Sequence, residues 1–265
     1  MDMLKRTLAP LTQSAWDEID GRAQEVLKSR LTARKAVKVY GPMGWDFTTL
    51  SEGRLDLLKR NDGEVATGVF RVKPLVEARM SFTLSRWEMD NVTRGAKDID
   101  LTNLEEAVKK IAEFEEKAVY EGFAAGNIKG LREASAHKNI TFGNDGAQIM
   151  EAISTGLIDL KDHFEEGPFV LIVGEEAYRR LNAGAQVYPL LKRIESLING
   201  KIVLNPVIEG AYLFPYDNED FELTIGQDFA IGYESHDDET IQLFITESFT
   251  FRVLDENIIV SYTTK

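Results

Sequence analysis

Histidine and cysteine supply much of the nucleophilic, acid–base and metal chemistry of proteins, and this sequence holds three of the first and none of the second. His137, His163 and His236 stand far apart in the chain, and no two share the four-residue spacing that would put both imidazoles on one helix face. Without cysteine there is no disulfide framework, thiolate nucleophile or zinc–thiolate site. A serine on an α/β-hydrolase elbow needs Gly-x-Ser-x-Gly, which does not occur. Gly122, Gly126 and Gly130 recur at every fourth residue after a helical stretch, the wrong spacing and context for a phosphate cradle. The acidic runs 217–220 and 237–239 lack the glycine and terminal glutamate of a calcium loop and read as solvated turns. Among 44 carboxylates, nothing in the spacing selects an acid–base pair. The residues alone therefore describe a soluble protein without a recognisable active site.

The totals narrow the function further. A chain of 265 residues with 43% hydrophobic and 28% charged residues can bury a sizeable core as one large domain or two joined ones. Its formal charge of -13 argues against duplex DNA as a main partner, because a DNA binder displaces counterions with lysine and arginine. The start of the chain, Met1 to Arg6, has no apolar run of signal-peptide length, and no stretch approaches the roughly 20 apolar residues of a membrane span. A cytoplasmic location is expected.

The elements that would position any site follow from periodicity. Trp16, Ile19, Ala23, Val26 and Leu27 mark an amphipathic helix over 14 to about 30, with Thr12 or Ser14 as its cap. Gly41–Gly44 is a turn cluster, and 45–76 is β-like. There Asn61-Asp62-Gly63 forms the tip of a hairpin too thin in apolar residues to stand alone. Thr102 with Glu105 is a capping box, and Leu104, Ala107, Val108, Ile111, Phe114, Ala118 and Val119 carry a spine helix to Gly122. Further helices are expected over 145–157 and 175–181, and from Pro189, the first helical position, to Asn199-Gly200. Strands are expected at 169–173, 202–204, 212–214, 221–225, 229–233, 241–246, 249–254 and 258–262. They look antiparallel more than wound, which gives an α+β class.

Ordered blocks along nearly the whole chain carry a resemblance. They run from Leu4–Leu11 and Trp16–Ile19 through Gly41–Trp45, Phe82–Leu84, Trp87–Asp90 with Arg94-Gly95, and Ala112–Glu116. They continue in Gly167-Pro168, Tyr188–Leu190, Gly226–Tyr233 and Leu243–Phe251. Together they resemble the family 1 encapsulins, bacterial nanocompartment shell proteins. The resemblance implies an α+β tailed-bacteriophage major capsid (Hong Kong 97-type) fold. It divides the chain into an N-terminal arm and helix joining the peripheral domain (1–44), an extended loop (45–76), a peripheral domain with the spine helix (77–144), a mainly axial domain (145–225) and a return to the peripheral domain (226–265).

The implied function is self-assembly without catalysis. Copies of the chain, 60 in the smallest case, would close an icosahedral compartment around a cargo enzyme and leave pores for small solutes or ions. The cargo of such shells is a ferritin-like protein or a dye-decolourising peroxidase, which links them to iron storage and oxidative stress, and it is captured through a C-terminal targeting peptide. By resemblance, Leu27, Leu31, Arg34, Lys38, Ile231 and Tyr233 form the cargo-peptide groove. Asn182, Ala183, Gly184, Ala185, Gln186, Val187 and Tyr188 form the loop lining the five-fold pore. No cofactor or metal is required. Some encapsulins bind flavin on the outer surface, and Arg79 and Trp87 are the matching residues here. Neither a membrane nor nucleic acid is an expected partner. The alternatives are a phage or prophage capsid protein that packages DNA, which the acidic balance disfavours, and a carboxylate-dependent hydrolase, which would be a small oligomer with a pocket.

Overall fold

Thr12 starts α1 (Gln13–Arg30), its hydroxyl accepting from the Ala15 amide at 3.3 Å in a computed structural model that describes residues 3–59, 61–183 and 189–265. The stripe Ala15, Trp16, Ile19 and Ala23 is buried. β1 (Lys38–Tyr40) follows, then the hairpin β2 (Thr49–Leu57) and β3 (Gly68–Pro74), then β4 (Val76–Ser85). α2 (Arg86–Arg94) begins at Ser85, whose hydroxyl accepts from the Glu88 amide, a Ser-x-x-Glu signal that the sequence reading passed over.

The spine helix is α3 (Thr102–Tyr120). Its start differs from the expected capping box. Thr102 is the first helical residue and Leu101 the cap, while Asp100 accepts from both the Thr102 amide and its hydroxyl. An aspartate two residues upstream satisfies these donors before Glu105 can. The short α4 (Leu131–Ala134) and β5 (Ile140–Thr141) lead to α5 (Gly146–Asp162), capped by Asp145 and longer than its apolar stripe suggests. β6 (Phe169–Val173), α6 (Glu175–Asn182), α7 (Leu190–Leu197), β7 (Lys201–Leu204) and β8 (Ala211–Pro215) complete the middle of the chain. Pro189 is the cap of α7 and not its first helical residue. β9 (Phe221–Ile225), β10 (Ala230–His236), β11 (Thr240–Val253) and β12 (Val260–Thr263) follow.

Two five-stranded sheets organise these elements. The first runs β1-β9-β11-β10, with β4 also on β11. β11 is one 14-residue strand where two were expected, broken at Glu247-Ser248. That polar pair stays in register, opposite Ala78 and Glu77, because Glu247 has a buried cation to face. β4 takes one edge of β11 along Thr240–Phe249, while β10 and then β9 take the other. The second sheet runs β5-β12-β8-β6-β7. Strands β6 and β8 are buried at every position and read as continuous apolar runs. Three pairs are parallel, β1 with β9, β5 with β12 and β6 with β7, and the other pairs within the two sheets are antiparallel, so the sheets are mixed but mainly antiparallel, as expected. The mixture of helices and sheets is the α+β class expected.

One apolar core lies around the second sheet with α5, α6 and α7 and reaches Phe221, Phe249 and Phe251. Another lies where α1 and α3 cover β4, β10 and β11. The hairpin belongs to neither. β2 and β3 pair only with each other, and Leu57, Val65, Val69 and Phe70 are more than half exposed. No helix among the described residues is long and apolar enough to cross a membrane.

Candidate functional site

The stripe that buries α1 against α3 does not stop at Ala23. Leu27 and Leu31 continue it at four-residue steps past the edge of the packed core, where α1 ends and the chain turns toward β1. Opposite them the first sheet presents Phe229, Ala230 and Ile231 at the start of β10 and Ile245 on β11. The space between is a groove of about 660 Å³. Its floor is apolar. Its rim carries Lys28 and Lys35 and the paired charges Arg6 and Asp20, 2.7 Å apart. Gly21 lies on the α1 wall, where a Cβ would meet nothing within 4 Å.

A buried ionic cluster sits under one end of the groove. Arg34 reaches in from the turn after α1, its ring-facing side over Phe229 at 4.7 Å. Its Nε donates to both Glu115 oxygens at 2.9 Å, and its Nη2 donates to Glu115 Oε2 at 2.5 Å. Nη1 donates to Asp228 at 2.7 Å and Nη2 to Glu247 at 3.2 Å. Glu115 and Glu247 are fully buried, while Asp228 is half exposed. Burial by itself would lower the Arg34 pKa, but the charge and hydrogen bonds of Glu115, then Asp228 and Glu247, raise it, so the guanidinium stays charged. Burial first, then the negative charge of Glu115, lifts Glu247 well above the usual carboxylate range. One cation therefore faces two buried carboxyls, and burial disfavours the charged form of Glu247.

Glu116, the next residue on α3, ties three segments together. It accepts from the Thr32 and Ala33 amides at 2.9 Å each, from Asn205 Nδ2 at 2.7 Å and from the Thr32 hydroxyl. Thr32–Ala33 is the link between α1 and β1, and Asn205 follows β7 in the second sheet, so one carboxyl joins both cores to the spine. Burial raises its pKa to about 8 against the opposing pull of the Thr32 hydroxyl and the two amides. The folded state thus binds a proton that the unfolded chain releases near pH 4.5, and this contribution to stability falls as pH rises from there to about 8. The slope is at most about 1.4 kcal/mol per pH unit. Glu116→Gln should flatten that part of the profile. Urea unfolding of both proteins from pH 5 to 8 checks it, and parallel profiles would show that Glu116 is ionised throughout.

Residues 1–250 match the Linocin_M18 family, described as an encapsulating protein for peroxidase. The chain is 39% identical to the type 1 encapsulin shell protein of Rhodospirillum rubrum, across 96% of this chain and 94% of that one. It is 37% identical to that of Mycolicibacterium paratuberculosis, across 95% of each chain. The chain belongs to the encapsulin shell-protein family. Solved structures bear out the expected capsid fold. The virus-like particle of Pyrococcus furiosus superposes with a TM-score of 0.66 at 15% identity, covering 93% of this chain and 98% of that one. The capsid of Myoviridae phage XM1 superposes with a TM-score of 0.58 at 11% identity, covering 88% of this chain and 92% of that one.

In this encapsulin Leu27, Leu31, Arg34 and Ile231 line the one groove. Lys38 and Tyr233 do not. Lys38 lies on β1, 3.4 Å from Asp217. The amide of Tyr233 donates to the Leu4 carbonyl at 2.8 Å, so the N-terminal arm runs beside it, and its hydroxyl meets His236 at 2.5 Å. Phe229, Ile245, Gly21 and Asp228 were missed as groove residues. Phe229 and Asp228 stand within the Gly226–Tyr233 block and Ile245 within the Leu243–Phe251 block, but only the pairing of β11 with β10 brings them to one place. Glu115 also had a signal, since it stands four residues after Ile111 on the apolar stripe of α3.

Arg79 and Trp87 lie on neighbouring elements, β4 and α2. Arg79 lies over Phe244 at 4.2 Å and lines a small cavity of about 280 Å³ with Lys110 and Phe114. Trp87 is 68% exposed in the first turn of α2 with Arg94 over its ring at 5.5 Å. Of the pore-loop residues, Asn182 ends α6, its side-chain amide donating to the Tyr178 carbonyl at 2.8 Å, and Ala183 caps the helix. Gly184, Ala185, Gln186, Val187 and Tyr188 lie outside the described residues.

Proposed function

We propose that this encapsulin closes into an icosahedral shell of about 60 copies in the cytoplasm, the smallest icosahedral number. We further propose that its groove holds the C-terminal targeting peptide of a peroxidase or ferritin-like cargo. The observation that carries the assembly reading is the hairpin β2–β3. It exposes Leu57, Val65, Val69 and Phe70 and pairs with no other strand of its own subunit. A two-stranded ribbon is marginal in water, so its apolar face needs a neighbouring copy. In this reading the first sheet with α1 and α3 is the peripheral domain, the second sheet with α5 to α7 is the axial domain, and the hairpin is the loop that overlaps the next subunit. Negative-stain microscopy of the purified chain tests it, hollow particles being expected and a well-behaved monomer or dimer overturning it. Nucleic acid inside those particles would favour a phage-like role instead.

The groove suits an extended peptide with alternating apolar side chains, since Leu27, Leu31, Ile231 and Ile245 give pockets and the rim gives charge. Gly21 offers a clean test because a large side chain there enters open space on a helix surface. Gly21→Phe should fill the groove and reduce cargo co-purification by at least about 10-fold while the shell forms normally. Gly21→Ala should keep the cargo and gain up to about 1 kcal/mol of subunit stability from helix propensity. Equal cargo loading of the Phe and Ala shells would place the peptide elsewhere.

A further inference from the structure

The fold brings together two of the three histidines, which are 26 residues apart in the chain. His137 follows α4 and His163 ends α5, and their ring centroids lie 5.2 Å apart with the planes at 78°. Each ring has one nitrogen already committed. His137 Nε2 meets the Asn257 carbonyl at 2.6 Å, and His163 Nδ1 meets the Asp159 carbonyl at 2.8 Å. A carbonyl only accepts, so both of these nitrogens carry the proton. That leaves His137 Nδ1 and His163 Nε2 as the ring nitrogens available to a ligand. A ring nitrogen whose N–H is held by a backbone carbonyl is the usual second-sphere arrangement of a metal-ligating histidine, fixing the tautomer and raising basicity.

The distance agrees with this chemistry. A tetrahedral ion about 2.1 Å from each of two imidazole nitrogens places the ring centroids roughly 5 Å apart. The surroundings favour a cation. His163 is the C-cap of α5, where the helix dipole is negative. The end of that helix is also fixed. The Glu165 amide donates to the Leu160 carbonyl and the Phe164 amide to the Lys161 carbonyl, closing the turn through Phe164, which adopts a positive φ of 68°. Asp255 accepts from the Asn257 amide and so positions the carbonyl that holds His137.

We propose that His137 and His163 form a binding site for a borderline divalent cation, of which zinc, copper and nickel are the chemical class. The described residues hold no cluster of three or more metal-binding side chains, so water completes the coordination sphere. The ion would clamp the end of α5 to the segments 135–139 and 255–257. Histidine is scarce and cysteine absent here, so background binding of such ions is low.

The test uses assembled shells stripped with a chelator and titrated with zinc chloride, with bound metal measured by atomic emission after gel filtration. About one ion per subunit is expected. His137→Gln and His163→Gln should each weaken binding at least about 10-fold, and the double variant should abolish it. His236→Gln should leave it unchanged. Zinc should raise the melting temperature of the parent and not that of the double variant. Cobalt(II) added to the unaltered shell should give a tetrahedral visible spectrum that zinc erases, which needs no variant to fold. The absence of that spectrum, or parent-like zinc binding in the double variant, overturns the proposal.

Discussion

Phe70→Asp combined with Leu57→Asp is expected to give a folded subunit that no longer builds shells. Both side chains project from a hairpin that contributes to neither apolar core, Phe70 being 71% and Leu57 77% exposed. The hairpin is held to its own subunit by few contacts, among them Lys73 Nζ donating to the Asn127 carbonyl at 2.5 Å. Charging its far end therefore removes nothing from the fold. In an assembled shell the same side chains would be covered by a neighbour, and each is worth roughly 1.5–3 kcal/mol when buried. Losing two such contacts per subunit, and burying charge in their place, raises the concentration needed for assembly at least about 100-fold. Analytical ultracentrifugation reads the outcome directly, with circular dichroism confirming the fold. Full-sized particles at the usual concentration would mean that the hairpin is not a subunit contact.

The second large effect is on stability and comes from Arg34. Arg34→Met leaves the fully buried Glu115 carboxyl without its cation, a loss of about 3–5 kcal/mol. Asp228 adds little to that figure because it is half exposed. Glu247 adds less than a second full charge because burial, and then the negative charge of Glu115, disfavours its charged form. Removing the charges together should reverse most of the damage. Arg34→Met with Glu115→Gln and Glu247→Gln should be close to the parent, since a buried ion pair is worth little more than a neutral packing of the same shape. Urea midpoints of the three proteins decide it. A single Arg34→Met variant as stable as the parent would mean that Arg34 is not what holds the buried carboxyls in place.

How the chain divides between what was legible and what was not follows from the range of each interaction. α1, α3, α5, β6 and the hairpin tip were legible in the sequence because each rests on residues within a few positions of one another: a cap, a stripe at three- and four-residue steps, an apolar run or an Asn-Asp-Gly turn. The blocks resembling encapsulins extended this to the fold as a whole. Periodicity names the face that a helix buries, but it does not name what that face meets. Arg34 finds Glu115, Asp228 and Glu247 at separations of 81, 194 and 213 residues. Nothing local marks Glu247 as a buried acid, and its polarity made one long strand read as two. His137 and His163 read as isolated because their partnership exists only where α5 returns beside the segment after α4. The sequence by itself determined the helices, the apolar strands and the family. The tertiary structure alone decided the groove, the ion cluster and the histidine pair, because burial and charge pairing depend on which distant segments packing brings within a few ångströms.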